Sequence, residues 1–139
     1  AELVDRMPSG VHVHLIGHSM GGLVARWFVQ ELGGDPRIVQ SISLASPFRG
    51  TKRAKLMPAA AGRDIAPGSA VLTRLAERGD CGVPHLSVVA AADALVTEDA
   101  SLHHGQRVEV DGCGHNGLLY HPEVAELVAN RVLSKPTGE

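Results

Sequence analysis

Hydrophobic and polar positions fall into short β-branched runs separated by longer stretches with helical spacing. Strand-like runs cover residues 11–16, 38–45, 85–91 and 107–110. Helical patterns lie between and after them, at 19–32, 69–78 and 123–133, with a short turn expected near 98–102. In the first helix Leu23, Val24, Trp27, Phe28 and Val29 recur near 3.6-residue spacing, and Gly33-Gly34 ends it. Pro67-Gly68 turns the chain, Ser69 is placed to cap the second helix, and Gly79 stops it. Pro122 at a first-turn position, Glu123 and Glu126 early and Arg131 late suit the dipole of the last. Strands alternating with helices predict an α/β fold with parallel strands in chain order and helices on both faces.

Length and composition agree with this picture. The 139 residues suffice for one domain, spanning 1–139, with one core, and 44% hydrophobic with 20% charged residues is a globular balance. The net charge of -2 gives no global electrostatic case for nucleic acid or an anionic membrane. No apolar run is long enough to span a bilayer, and no signal-peptide pattern opens the chain. The first five residues read as the tail of a helix rather than a natural start. Residues 46–67 stand apart: Arg49, Lys52, Arg53, Lys55 and Arg63 occur there with Ala and Pro and no clear period. They fit a solvated excursion over the sheet, or a basic patch for an anionic partner. Cys81 precedes the third strand and Cys113 follows the fourth, at opposite ends of a parallel sheet, so both are expected as free thiols.

The candidate chemistry centres on Gly17-His18-Ser19-Met20-Gly21, set between a strand and a helix. G-x-S-x-G in that context is the nucleophile-elbow pattern. A sharp turn there exposes the Ser19 hydroxyl above the carboxyl end of the sheet. Bulky residues at Gly17 and Gly21 are expected to collide across it. The Met20 N–H, at a helix N-terminus, is placed to donate to a developing oxyanion. Serine needs a base to take its proton. Asp93 and His115 each follow a strand end, in the chain order Ser, acid, His. Glu98, Asp99 and Asp111 are rival acids; Asp99 lies farther from its strand, and Asp111 suits the turn itself. Of the eight histidines, only His115 lies in a Gly-flanked loop after a strand. His12 and His14 share a strand face with His18 nearby, a loose metal-ligand pattern that lacks carboxylates, so packing is the simpler reading. No metal or cofactor is expected.

With those motifs in hand, the sequence resembles the α/β-hydrolase superfamily, in particular bacterial lipases and esterases. The resemblance rests on "VHLIGHSMGGLVARW", "SLASPFRGTKRAKL", "DIAPGSAVLTRL", "AAADALV" and "GCGHNGLLYHPEV", in the family's order along nearly the whole chain. It implies Ser19 as nucleophile, Asp93 as acid, His115 as base, and hydrolysis of an apolar carboxylic ester through an acyl-enzyme. It also implies a three-layer hydrolase fold cut to about four strands, because family members carry further strands before the elbow. The chain is thus expected to be a C-terminal portion of a hydrolase, with a strand edge at 11–16 that invites self-association. An acyltransferase with the same triad, or a half-domain without turnover, stays open. So do contact with a lipid interface and the compartment, cytoplasmic or secreted.

Overall fold

The computed structural model describes residues 2–79, 82–97, 101–102 and 104–134. Four strands, β1 (Val13–His18), β2 (Ile38–Leu44), β3 (His85–Ala90) and β4 (Gln106–Val110), form one sheet in the order β1-β2-β3-β4, and every pairing is parallel. Five α-helices accompany it: α1 (Glu2–Asp5), α2 (Met20–Glu31), α3 (Ala59–Ile65), α4 (Ala70–Glu77) and α5 (Pro122–Leu133). Two short 3₁₀ helices, Lys52–Leu56 and Gly117–Leu119, lie in loops.

Strand boundaries shift from the sequence reading at one place that matters. The first strand begins at Val13 and runs through Gly17 to His18, so the turn holding Ser19 starts without any intervening loop. His12 lies before the strand. Residues 46–67, which showed no period, hold the 3₁₀ helix Lys52–Leu56 and α3. Both are short, the first mostly basic and the second Ala-rich, and too brief for a hydrophobic period to register. The turn expected near 98–102 falls largely outside the described residues, as do Glu98, Asp99, His103 and Cys81. Cys113 is a free, buried thiol. Burial, and the nearby carboxylates of Asp111, Asp93 and Glu123, push that thiol up from its ordinary value and keep it protonated.

The two faces of the sheet differ in chemistry. On one face Ile42, Leu44, Leu86, Val88, Ala90 and Val110 pack with Val124 of α5 and its partly buried Leu127 and Val128. β3 is buried along its whole length, as an inner parallel strand covered on both faces should be. The opposite face carries hydroxyls. Ser41, Ser43 and Ser87 surround the His85 ring: the Ser41 hydroxyl lies 2.7 Å from Nδ1, and those of Ser43 and Ser87 lie 3.1 Å from Nε2, one ring nitrogen donating and the other accepting. Arg26 of α2, only 1% exposed, joins Gln30 at 3.1 Å and lies 3.5 Å from the Ser41 hydroxyl. A buried polar layer of this kind persists because its donors and acceptors find one another. Small side chains here also let α2 lie close to the strands. At the amino end, Arg37 donates to the carbonyls of Val4, Met7 and Pro8 and ties α1 and the segment after it to the sheet. β1 is an edge strand; no strand among the described residues covers its outer side, where Ile16 is 48% exposed.

The buried His85 makes stability depend on pH. Desolvation, assisted by the neighbouring Arg26 charge, lowers its pKa from 6.5 to about 3. The unfolded chain therefore takes up this proton first, so the contribution is full above pH 6.5 and is lost as pH falls toward 3. Its slope should approach about 1.4 kcal/mol per pH unit in that window. Denaturant titrations from pH 7 to 4 should show the wild type losing more stability than His85→Gln. Equal acid sensitivity of the two proteins would refute this account.

Candidate active site

The carboxyl ends of the strands are stitched together by backbone bonds. Ser19 N–H donates to the Leu44 carbonyl at 2.8 Å, Ala45 N–H to Val88 at 2.8 Å, and Ala91 N–H to Val110 at 2.9 Å. Each chain leaves its strand while still tied to the neighbouring one. The loops after β1, β3 and β4 therefore start from fixed positions.

Ser19 caps α2 with φ 53° and ψ -123°. Such positive φ in a residue with a side chain is strained, and a functional reason is the usual one. Ala45, after β2, is the second non-glycine residue of positive φ among the described residues, at 50°. Two glycines make the turn possible, and they are not the pair the motif suggested. A Cβ on Gly17 would overlap the backbone of Gly21 and Gly22. At Gly21 a Cβ would meet nothing within 4 Å, so the expected collision there does not occur. The crowded position is Gly22, where a Cβ would run into Ser46 and lie 3.0 Å from the Ser43 Cβ. α2 thus approaches the ends of β1 and β2 nearly backbone to backbone. Met20 is the first residue of α2, so its N–H is among the first-turn donors without an intrahelical acceptor.

Asp93 and His115 meet. His115 Nδ1 lies 2.8 Å from Asp93 Oδ2, with side chains only 10% and 5% exposed. The other carboxylate oxygen accepts from Leu95 N–H at 2.9 Å and Val96 N–H at 2.8 Å. With the carboxylate ionised, Nδ1 must carry the hydrogen, which leaves Nε2 with a free lone pair. The two loops are also joined by their backbones, Ala92 N–H to the Cys113 carbonyl at 3.3 Å.

His18, one residue before the serine, couples this pair to the elbow. Its Nε2 donates to the His115 carbonyl at 3.0 Å, and the two imidazole centroids lie 4.8 Å apart. The sequence reading gave His18 no task beyond membership of the elbow; nothing in a single chain marks a contact across 97 positions. No hydrogen bond joins the Ser19 hydroxyl to His115 among the described residues. Of the rival acids, Asp111 is exposed in the turn after β4. His14 pairs with Gln40 at 2.7 Å, His12 is exposed, and His121 occupies the N-cap position of α5 without a side-chain capping bond. Among the described residues no three His, Cys, Asp or Glu side chains cluster as metal ligands.

An apolar groove of about 520 Å³ is lined by residues of β1 and α2, among them Ile16, Met20, Gly21, Val24, Trp27 and Phe28; it adjoins Ser19 through Met20, while Ser19 and His115 do not line it.

This architecture is the α/β-hydrolase fold. A monoacylglycerol lipase from Paleococcus ferrophilus matches with a TM-score of 0.56 and 17% identity, over 88% of this chain and 67% of its own. The esterase domain of a Rhodothermus marinus protein matches at 0.58 and 21% identity, over 86% and 57%. An α/β-hydrolase enzyme from a lagoon-sediment metagenome at Mar Chica, Morocco, matches at 0.64 and 17% identity, over 94% and 64%. The chain therefore spans about three-fifths to two-thirds of the length of these structures. No protein-family model matches the chain.

The glycine geometry yields a contrast. Gly22→Ala should destabilise by roughly 1–3 kcal/mol, because the added methyl must displace Ser46 or α2. Gly21→Ala, with open space and a helical backbone, should be neutral or slightly stabilising. Thermal unfolding of both variants checks this, and a greater loss at Gly21 would contradict the packing described.

Proposed function

We propose that this chain carries the catalytic residues of a serine hydrolase that cleaves apolar carboxylic esters through an acyl-enzyme on Ser19. The observation that carries the reading is the Asp93–His115 hydrogen bond, formed in a loop that His18 ties to the elbow. It supports His115 as a base whose free Nε2 can take the Ser19 proton.

In this reading Ser19 Oγ attacks the ester carbonyl carbon while His115 Nε2 takes its proton. The resulting oxyanion accepts the Met20 N–H, a donor already aimed by the start of α2. Asp93 holds His115 in one tautomer and stabilises the imidazolium. As the tetrahedral species collapses, the carbon–oxygen bond to the leaving alcohol breaks and His115 returns the proton to that oxygen. Water then attacks the acyl-serine by the same route, with His115 again as base. The groove beside Met20 supports an apolar acyl group, since its lining offers contact but almost no charge. The names of the lipase and esterases with this fold agree with ester chemistry, and the present chain spans only part of their length.

Hydrolysis of a short-chain p-nitrophenyl ester tests the roles. Ser19→Ala and His115→Ala should each abolish the enzymatic rate to a similar degree, since such residues act as a unit. Asp93→Asn should lose roughly one to two orders of magnitude less than either. Undiminished turnover by His115→Ala would show that another group is the base.

A further inference from the structure

The basic excursion after β2 is not used by this chemistry. Residues 46–67 hold five of the chain's 13 basic residues and one acid, Asp64, while the rest of the chain carries 8 basic and 14 acidic residues. The positive charge is therefore local, against a net negative background. Its arrangement is ordered rather than diffuse. Gly62 of α3 packs on the Ala54 backbone, and Thr51 N–H donates to the Ile65 carbonyl at 2.9 Å. The 3₁₀ helix and α3 thus form one small packed unit with Ala54 and Ile65 inside.

With about three residues per 3₁₀ turn and Ala54 turned inward, positions 52 and 55 stack on one flank and 53 and 56 on the other. Lys52, Arg53, Lys55 and Leu56 are all exposed, Leu56 to 74%. Pro58, Ala59, Ala60 and Arg63 continue the exposed surface. Among the described residues, no carboxylate pairs with Lys52, Arg53, Lys55 or Arg63. Leu56 thus stands as an apolar tip rimmed by cations that have no carboxylate partner among the described residues. The base of the unit is fastened to the candidate site: the buried Thr51 hydroxyl donates to the Leu95 carbonyl at 2.6 Å, and Leu95 N–H holds Asp93.

We propose that this surface docks on an anionic lipid interface, with Leu56 entering the headgroup–acyl boundary and Lys52, Arg53, Lys55 and Arg63 meeting the lipid phosphates. Cations flanking an apolar tip are the combination that membrane surfaces bind. Between residues 52 and 63 there is no aromatic or amide side chain, so the surface lacks the stacking and base-reading groups of a nucleic-acid site. The inference stands apart from the ester chemistry, because it concerns binding alone.

Sedimentation with large unilamellar vesicles tests it, using Ser19→Ala protein so that no lipid is consumed. Vesicles containing phosphatidylglycerol should bind the protein at about 0.1 M salt and release it at about 1 M, where screening is nearly complete. Phosphatidylcholine vesicles should bind it far less. Replacing Lys52, Arg53 and Lys55 together by Gln should weaken partition roughly 100-fold, and Leu56→Ser roughly tenfold. All four positions are exposed, so the variants should fold as the parent does. Equal binding to both vesicle types, unchanged binding by the triple variant, no binding by the parent, or capture by duplex DNA in preference to vesicles would each overturn the proposal.

Discussion

The close approach of α2 to the ends of β1 and β2 governs everything at the carboxyl end of the sheet. Gly17 and Gly22 provide the room on the turn and helix side, and Ser43 and Ser46 provide it on the strand side. Because the helix starts almost in contact with the strands, the residue between strand and helix cannot relax into an ordinary helical or extended conformation. Ser19 is held at positive φ as a result. The same geometry leaves the Met20 N–H at the head of α2 without an intrahelical acceptor. A serine at positive φ and a helix-terminal donor beside it are thus two consequences of one packing contact.

That contact also explains the unequal faces of the sheet. The face toward α5 is aliphatic and packs in the usual way. Toward α2, large aliphatic side chains on β2 and β3 would push the helix away, and serines stand there instead. Hydroxyls buried without partners would be destabilising. His85, Arg26 and Gln30 meet that need by drawing them into one hydrogen-bonded layer. The burial of His85 follows from the space that the elbow requires. Strain at Ser19 and a polar layer beneath α2 are linked through the same small residues.

The parallel sheet, its strand order and the three longer helices were legible in the sequence, because each has either a β-branched run or a helical period with punctuation at its ends. That Asp93 and His115 each follow a strand was legible for the same reason. The helices inside 46–67 were not: they are single-turn to two-turn elements held by Gly62 against Ala54, a tertiary contact with no periodic signature. The glycine assignment failed in an instructive way. The motif marks Gly21, but the space is needed at Gly22, and only the placement of Ser43 and Ser46 reveals it. The bond from His18 to the His115 carbonyl lay equally beyond reach, since it depends on how two loops close over the same strand ends.

The central claim is that Ser19 is a nucleophile activated by the geometry around it. Intact-mass measurement after incubation with a fluorophosphonate, followed by peptide mapping of the adduct, tests this most directly. The account predicts one adduct per chain, located on Ser19 and absent from Ser19→Ala. Folded protein that takes up no label, or label mapped to a residue other than Ser19, would contradict it.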